Sequence, residues 1–191
     1  MGAAPDTTRG LAASPRALAA RRLVGIGVGA LAVAAAAQVA VPVPFSPVPM
    51  TLQPLAVLAV GGLLGAAGGA AALVTYLALG VSGLPVFAGG SSGAVHLVGP
   101  TGGYLLAFPL AAGLTGALAG RSAGMLRVLG ACVLGMAVIH AGGVAQLALL
   151  GGDPALAFRI GFVPFFTGDL LKVGLAAAII LGLRPIARRV H

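Results

Sequence analysis

From Leu23 to Leu183 the chain is a succession of long apolar runs, and inside those runs stand a single carboxylate, Asp169, and a single lysine, Lys172. A helix needs about 20 apolar residues to cross a bilayer, whereas a helix at the surface of a soluble domain carries polar residues along one face. No such face is evident here. Only 7% of the 191 residues are charged and 59% are hydrophobic, which excludes an ordinary soluble domain. The expected architecture is an all-α integral membrane protein, a single compact bundle of about six transmembrane helices. Thirty-two glycines and many alanines suit such a bundle, because small residues let backbones approach closely in lipid.

The formal net charge of +8 raises nucleic-acid binding, but the positions of the charges exclude it. Arg9, Arg16, Arg21 and Arg22 precede the first apolar run, Arg121 and Arg127 bracket one hinge, and Arg184, Arg188 and Arg189 follow the last run. A nucleic-acid interface would gather them on one face among polar and aromatic residues. Cys132 is the one cysteine, so no disulfide framework exists. His96, His140 and His191 are far apart and have no metal-ligand spacing. No Walker A lysine stands in the glycine-rich segments, so neither a metal nor a nucleotide cofactor is expected.

Taken in order, residues 1–22 read as a polar, disordered or interfacial arm, and Leu23 to Val41 as the first span. A cleaved signal peptide is the rival reading of this run, which is long for one. Pro42 to Pro49 holds four prolines in eight residues, which forbids a helix interior and predicts a rigid extended segment. It is a stiff linker, or it brings Thr51 and Gln53 to the mouth of the next helix as hydrogen-bonding groups. Leu55 to Leu64 and Ala70 to Leu79 read as two shortish spans around a tight turn at Gly65–Gly69. Gly83 to Gly103 is too rich in Gly and Pro for a helix, and long loops in compact proteins are usually functional or disordered. Its apolar residues, Phe87 among them, argue for a packed cap over a pocket. Tyr104 to Leu118 is the fourth span, with Thr101 placed to cap it. Leu126 to Leu150 is the fifth. After a turn at Gly151–Pro154, the stretch from Phe162 opens the sixth, which ends before Pro185 and leaves a basic tail at 186–191.

Charge supports this count. With six spans, nine arginines fall on one side of the membrane and only Arg159 on the other. By the positive-inside rule both termini then face the cytoplasm, and the protein is a multi-pass resident of the cell membrane.

Asp169 and Lys172, three residues apart, leave the last helix on nearly the same face. Each costs roughly 2.5–3.5 kcal/mol at membrane depth on insertion scales. They are either a neutralising pair that makes the segment tolerable or the polar part of a ligand site.

Four segments in this order, Val48-Pro-Met-Thr-Leu-Gln53, Gly83-Leu-Pro-Val-Phe-Ala-Gly-Gly90, Gly99-Pro-Thr-Gly-Gly-Tyr104 and Gly168-Asp-Leu-Leu-Lys172, closely resemble the BioY family. That family comprises the biotin-binding S components of energy-coupling-factor (ECF) transporters, and the resemblance extends from about Leu23 to Arg184. It implies a six-helix protein that takes biotin from outside and works with a transmembrane T component and two cytoplasmic ATPases. It also implies that Asp169 and Lys172 lie at the biotin site, with Thr51, Gln53, Phe87, Thr101 and Tyr104 from the matching segments lining it. In S components an Ala-xxx-Ala pattern on the first helix docks on the T component, and Ala32, Ala36 and Ala40 resemble it. Ordinary intramolecular packing is the alternative for these three.

Other function classes fit less well. An intramembrane hydrolase would need a second acid, a nucleophile–base pair or a metal beside Asp169, so the protein is not expected to be an enzyme. A self-sufficient carrier, with Asp169 relaying protons, remains the alternative, although no internal repeat of the kind many carriers possess is visible.

Overall fold

A computed structural model describes residues 14–120 and 123–190, the side chains of 186–190 excepted. The start of the expected arm, residues 1–13, and the side chains of Arg9, Arg121, Arg188 and Arg189 therefore lie outside the described residues.

Helix α1 spans Pro15–Gln38. Ser14 Oγ accepts from the Ala17 amide at 3.2 Å, and Pro15 stands at the first helical position, both favourable helix starts. The helix thus begins eight residues before Leu23, within what reads from the sequence as a disordered or interfacial arm. The Ala-, Leu- and Arg-rich segment before Leu23 consists of strong helix formers, so the polar boundary of the span is not a boundary of the helix. It stops at Gln38, short of Val41, because the residue before Pro42 is pushed toward extended backbone.

Two-residue strands β1 (Ala40–Val41) and β2 (Met50–Thr51) pair antiparallel, Ala40 opposite Thr51 and Val41 opposite Met50. They pinch the proline segment into a closed loop.

Helix α2 spans Gln53–Val81 but is broken at Gly65, whose φ of 76° and ψ of 178° are open essentially to glycine alone. Gln53 Nε2 donates to the Tyr76 hydroxyl at 2.7 Å. In a straight helix these residues would stand roughly 35 Å apart at 1.5 Å per residue. The two arms of α2 therefore fold back on each other, as the glycine cluster predicts, but the turn is Gly65 alone and helix resumes at once.

The expected cap is partly helical. It contains a 3-10 turn at Ala88–Gly90 and helix α3, Val95–Val98. Helix α4 is Gly102–Ala119 and passes through Pro109; α5 is Met125–Gly151. A short helix absent from the sequence reading, α6, fills Pro154–Gly161. Asp153, read there as part of a turn, is its cap, with Oδ1 accepting from Ala155 and Leu156 at 2.9 and 3.0 Å. Helix α7 runs Phe166–Val190, through Pro185 rather than ending before it. Proline in such helices is tolerated when neighbouring groups satisfy the freed backbone. Arg184, immediately before it, donates to the Ala119 and Ala123 carbonyls at 2.8 and 2.7 Å. That contact pins the end of α7 to the α4–α5 hinge.

Five helices are long and apolar enough to cross a membrane: α1, α2, α4, α5 and Phe166–Pro185 of α7. Helix α2 packs on α1, α4 and α7, and α5 packs on α4, α6 and α7. Leu23, Val28, Leu31, Leu110 and Leu126 point outward, so these helices are apolar both inside and out, as a lipid solvent requires. One buried cluster centres on Tyr76, Phe87, Tyr104, Phe108 and Phe165, and a second on Leu58, Cys132, Met136 and Ile180.

Candidate functional site

A cavity of about 310 Å³ lies among the proline loop, the cap, the first turns of α4 and α7 and the middle of α5. That places it at the small end of the roughly 300–1,000 Å³ of ligand sites. All of Thr51, Gln53, Phe87, Thr101, Tyr104, Asp169 and Lys172 line it. Segments widely separated in sequence thus converge on one space, but their polar groups are not equally available to a ligand.

Thr51 and Gln53 largely satisfy each other. The Thr51 hydroxyl donates to Gln53 Oε1 and accepts from the Gln53 amide, both at 3.2 Å. The Gln53 side chain then reaches Tyr76, whose hydroxyl donates to the Val86 carbonyl at 3.1 Å. This chain of bonds ties the proline loop to the cap. Tyr76, which the sequence reading passed over, is its fully buried centre. Tyr104 is committed as well. Its hydroxyl donates to the Gly161 carbonyl at 2.6 Å and braces α4 against the end of α6, so the cavity is offered its ring. Thr101 occupies the position before α4 but makes no capping bond through its side chain, contrary to the sequence expectation. The backbone there is already helical, with φ −91° and ψ −11°, whereas a side-chain cap needs the extended geometry.

Phe87 forms an apolar wall. Its ring meets Tyr76 and His96 edge-on, with centroids 5.6 and 5.7 Å away. It sits in a notch at Gly80, where an added Cβ would collide with the ring. The cap is fixed from three sides. Gln146 Nε2 donates to the Leu97 and Gly99 carbonyls at 3.0 and 2.7 Å, Gln38 Nε2 donates to Phe87 O at 3.4 Å, and the Gly93 amide to Gly80 O at 2.8 Å.

The charged part of the site lies on the first two turns of α7 and the middle of α5. Lys172 Nζ stands 2.7 Å from Asp169 Oδ1, and His140 Nε2 stands 2.7 Å from Asp169 Oδ2. Asp169, Lys172 and His140 are only 5%, 6% and 8% exposed, which removes most of the water that would screen them. The Asp169–Lys172 contact follows from their spacing. The third member was missed. His140 fails every metal-ligand spacing, yet the rule that singles out Asp169 also applies to it, since it is an ionisable group in the middle of an apolar run. Its other nitrogen, Nδ1, is buried without a hydrogen-bond partner among the described residues. A proton there would be stranded, so the favoured tautomer carries its proton on Nε2 and donates it to Asp169.

The three alanines of the first helix do not form one stripe. Ala32 faces outward, Ala36 is half-buried and packs against the core, and Ala40 lies beyond the helix, in β1. The helix ends two residues too early for an i, i+4, i+8 row.

Comparison with known proteins identifies the family. The BioY family model matches residues 8–189. The biotin transporter BioY of Thermotoga maritima is 43% identical over 141 residues, covering 74% of this chain and 83% of that protein. The probable biotin transporter BioY of Pyrococcus horikoshii is 40% identical over 134 residues, covering 70% and 79%. The crystal structure at 2.1 Å of the S-component for biotin from an ECF-type ABC transporter superposes with a TM-score of 0.83 at 27% identity, covering 91% of this chain and 95% of that one. With the family model spanning nearly its whole length and its relatives aligned across most of theirs, this chain belongs to the BioY family.

Proposed function

We propose that the protein is the substrate-binding membrane subunit, or S component, of an ECF-type transporter, and that it captures biotin from outside the cell for ATP-driven import. The observation that carries this reading is the buried Asp169–Lys172 pair opening onto an otherwise largely apolar cavity. Biotin presents a ureido ring with two N–H donors beside a carbonyl, a thioether ring, and an apolar chain ending in a carboxylate. Adjacent acceptor and donor groups at i and i+3 of one helix suit such a ligand, with Asp169 accepting from the ureido N–H and Lys172 donating to a biotin oxygen, ureido or carboxylate. Phe87, Tyr104, Phe108 and Phe165 supply the apolar walls such a ligand needs, with Thr101 beside them and Thr51 and Gln53 holding the loop.

The two arms of α2 each count as one crossing, which gives six. Arg184 meets the α4–α5 hinge near Arg127, so the basic ends gather on one side, and both termini are cytoplasmic in the cell membrane. The membrane domain is residues 23–185, between an N-terminal arm at 1–22 and a basic tail at 186–191. The partners are a transmembrane T component, met through the outward face of α1 around Ala32, and two ATPase subunits.

Radiolabelled biotin binding to the purified protein tests the ligand. Reconstitution in liposomes, with and without those partners and ATP, tests the mode of transport. Biotin uptake by the protein alone, driven by a proton gradient, would favour the self-sufficient carrier instead.

A further inference from the structure

We infer that His140 is a positioning residue that makes the site select a neutral urea over a cationic analogue of the same shape. The inference rests on biotin being the ligand. Asp169 is held from two helices at once: by Lys172 from its own turn of α7 and by His140 from α5, each at 2.7 Å and each on a different oxygen. Two consequences follow from this arrangement. The carboxylate cannot turn about its terminal torsion without breaking a buried bond, so the lone pairs left for a ligand point in a fixed direction. Both carboxylate oxygens also already meet a partner, one of them the Lys172 ammonium, so the remaining capacity suits a neutral N–H better than a second cation.

Aromatic rings enclose the histidine and fix its plane. Phe162 meets the imidazole edge-on with centroids 4.9 Å apart, and Tyr104 and Phe165 stand at 6.2 and 6.4 Å. Nδ1 is enclosed without a hydrogen-bond partner among the described residues. Lys172, at 2.7 Å, already meets the carboxylate of Asp169 with a full counter-charge. A guanidinium in place of the urea would add a cation beside Lys172 with only a shared carboxylate to balance it. Without the His140 donor, Asp169 Oδ2 is left buried and unpaired, and a cationic ligand with an extra N–H becomes the better partner for it.

The test is equilibrium binding of biotin and of 2-iminobiotin, its guanidinium analogue, to the full chain in nanodiscs at neutral pH. Wild type is compared with His140→Gln, His140→Leu and His140→Asn, with thermal unfolding measured in parallel. Glutamine places an amide N–H near the Nε2 position, whereas asparagine is too short to reach Asp169 and leucine has no donor. His140→Leu and His140→Asn should each lower the preference for biotin over 2-iminobiotin at least about tenfold, the worth of one hydrogen bond to a charged group. His140→Gln should keep it within about threefold of wild type on the same scale. A purely structural role predicts weaker binding of both ligands with the ratio unchanged. That result in either folded donor-less variant, or a His140→Gln ratio matching His140→Leu, overturns the inference while leaving the biotin reading intact. Wild-type protein that binds neither ligand overturns the biotin reading and the inference together.

Discussion

Gln53 and Tyr76, at opposite ends of one helical stretch, meet side chain to side chain at 2.7 Å. Their bond closes the hairpin made at Gly65, and the Tyr76 hydroxyl passes the connection on to the Val86 carbonyl in the cap. One buried phenol thus couples the helix start, the proline loop through Thr51, and the roof of the cavity.

Tyr76→Phe removes that hydroxyl and leaves the Gln53 amide and the Val86 carbonyl without it. Each buried group so stranded costs about 1–3 kcal/mol. Thermal unfolding in detergent should show a clear fall in midpoint, with faster dissociation of biotin as the cap loosens. An unchanged midpoint would refute the coupling.

Tyr104→Phe is the contrasting case. The lost bond to Gly161 O is worth about 1–3 kcal/mol of stability, including the stranded carbonyl, but the hydroxyl is not available to a ligand. Biotin affinity should stay within about threefold of wild type, well under the roughly 1.4 kcal/mol that marks a decade. A loss of tenfold or more in well-folded protein would assign the hydroxyl to the ligand after all.

Asp169→Asn should weaken biotin by about 10- to 150-fold, from the roughly 1.5–3 kcal/mol of a hydrogen bond to a charged group. Lys172→Ala should do similar damage, partly because it leaves Asp169 without its counter-charge. The deciding variant is Asp169→Asn with Lys172→Gln, which keeps the shape and removes both charges. Buried pairs that only neutralise each other are often replaceable without loss of stability, so near-normal affinity in the double variant would reduce the pair to that role.

Topology is open to cysteine labelling in a background lacking Cys132. Arg127→Cys and Arg121→Cys should react with a membrane-impermeant reagent from the cytoplasmic side only, and Ser91→Cys from outside only. Reaction of Ser91→Cys from inside would overturn the six-crossing orientation.

Ala32→Trp places a large side chain on the outward face of α1, away from the core. Biotin binding by the isolated protein should be unchanged while uptake by the reconstituted complex is lost. Parallel loss of binding and uptake would point to folding instead. Ala36 is a poorer probe, because it already packs against the core.

The membrane class was legible from the apolar runs because a bilayer demands length and hydrophobicity, both local properties of the chain. The Gly65–Gly69 cluster announced the fold-back of α2, though the structure puts the turn on Gly65 alone, and the spacing of Asp169 and Lys172 placed both on one face of α7. Helix ends were less legible. α1 began early and α7 passed through Pro185, because propensity and tertiary pinning by Arg184 override the composition boundary. α6 was too short to stand out as an apolar run. What only the tertiary structure decided was how the polar groups are spent. Thr51, Gln53 and Tyr104 line the cavity, as the motifs suggest, yet they are bonded to Tyr76, to Gly161 and to one another. His140, an ionisable group in an apolar run that no motif ties to Asp169, holds its second oxygen. A hydrogen bond is satisfied by whichever group arrives within reach in space, and His140 and Asp169, 29 positions apart in sequence, are brought together by the packing of α5 on α7, not by any local pattern.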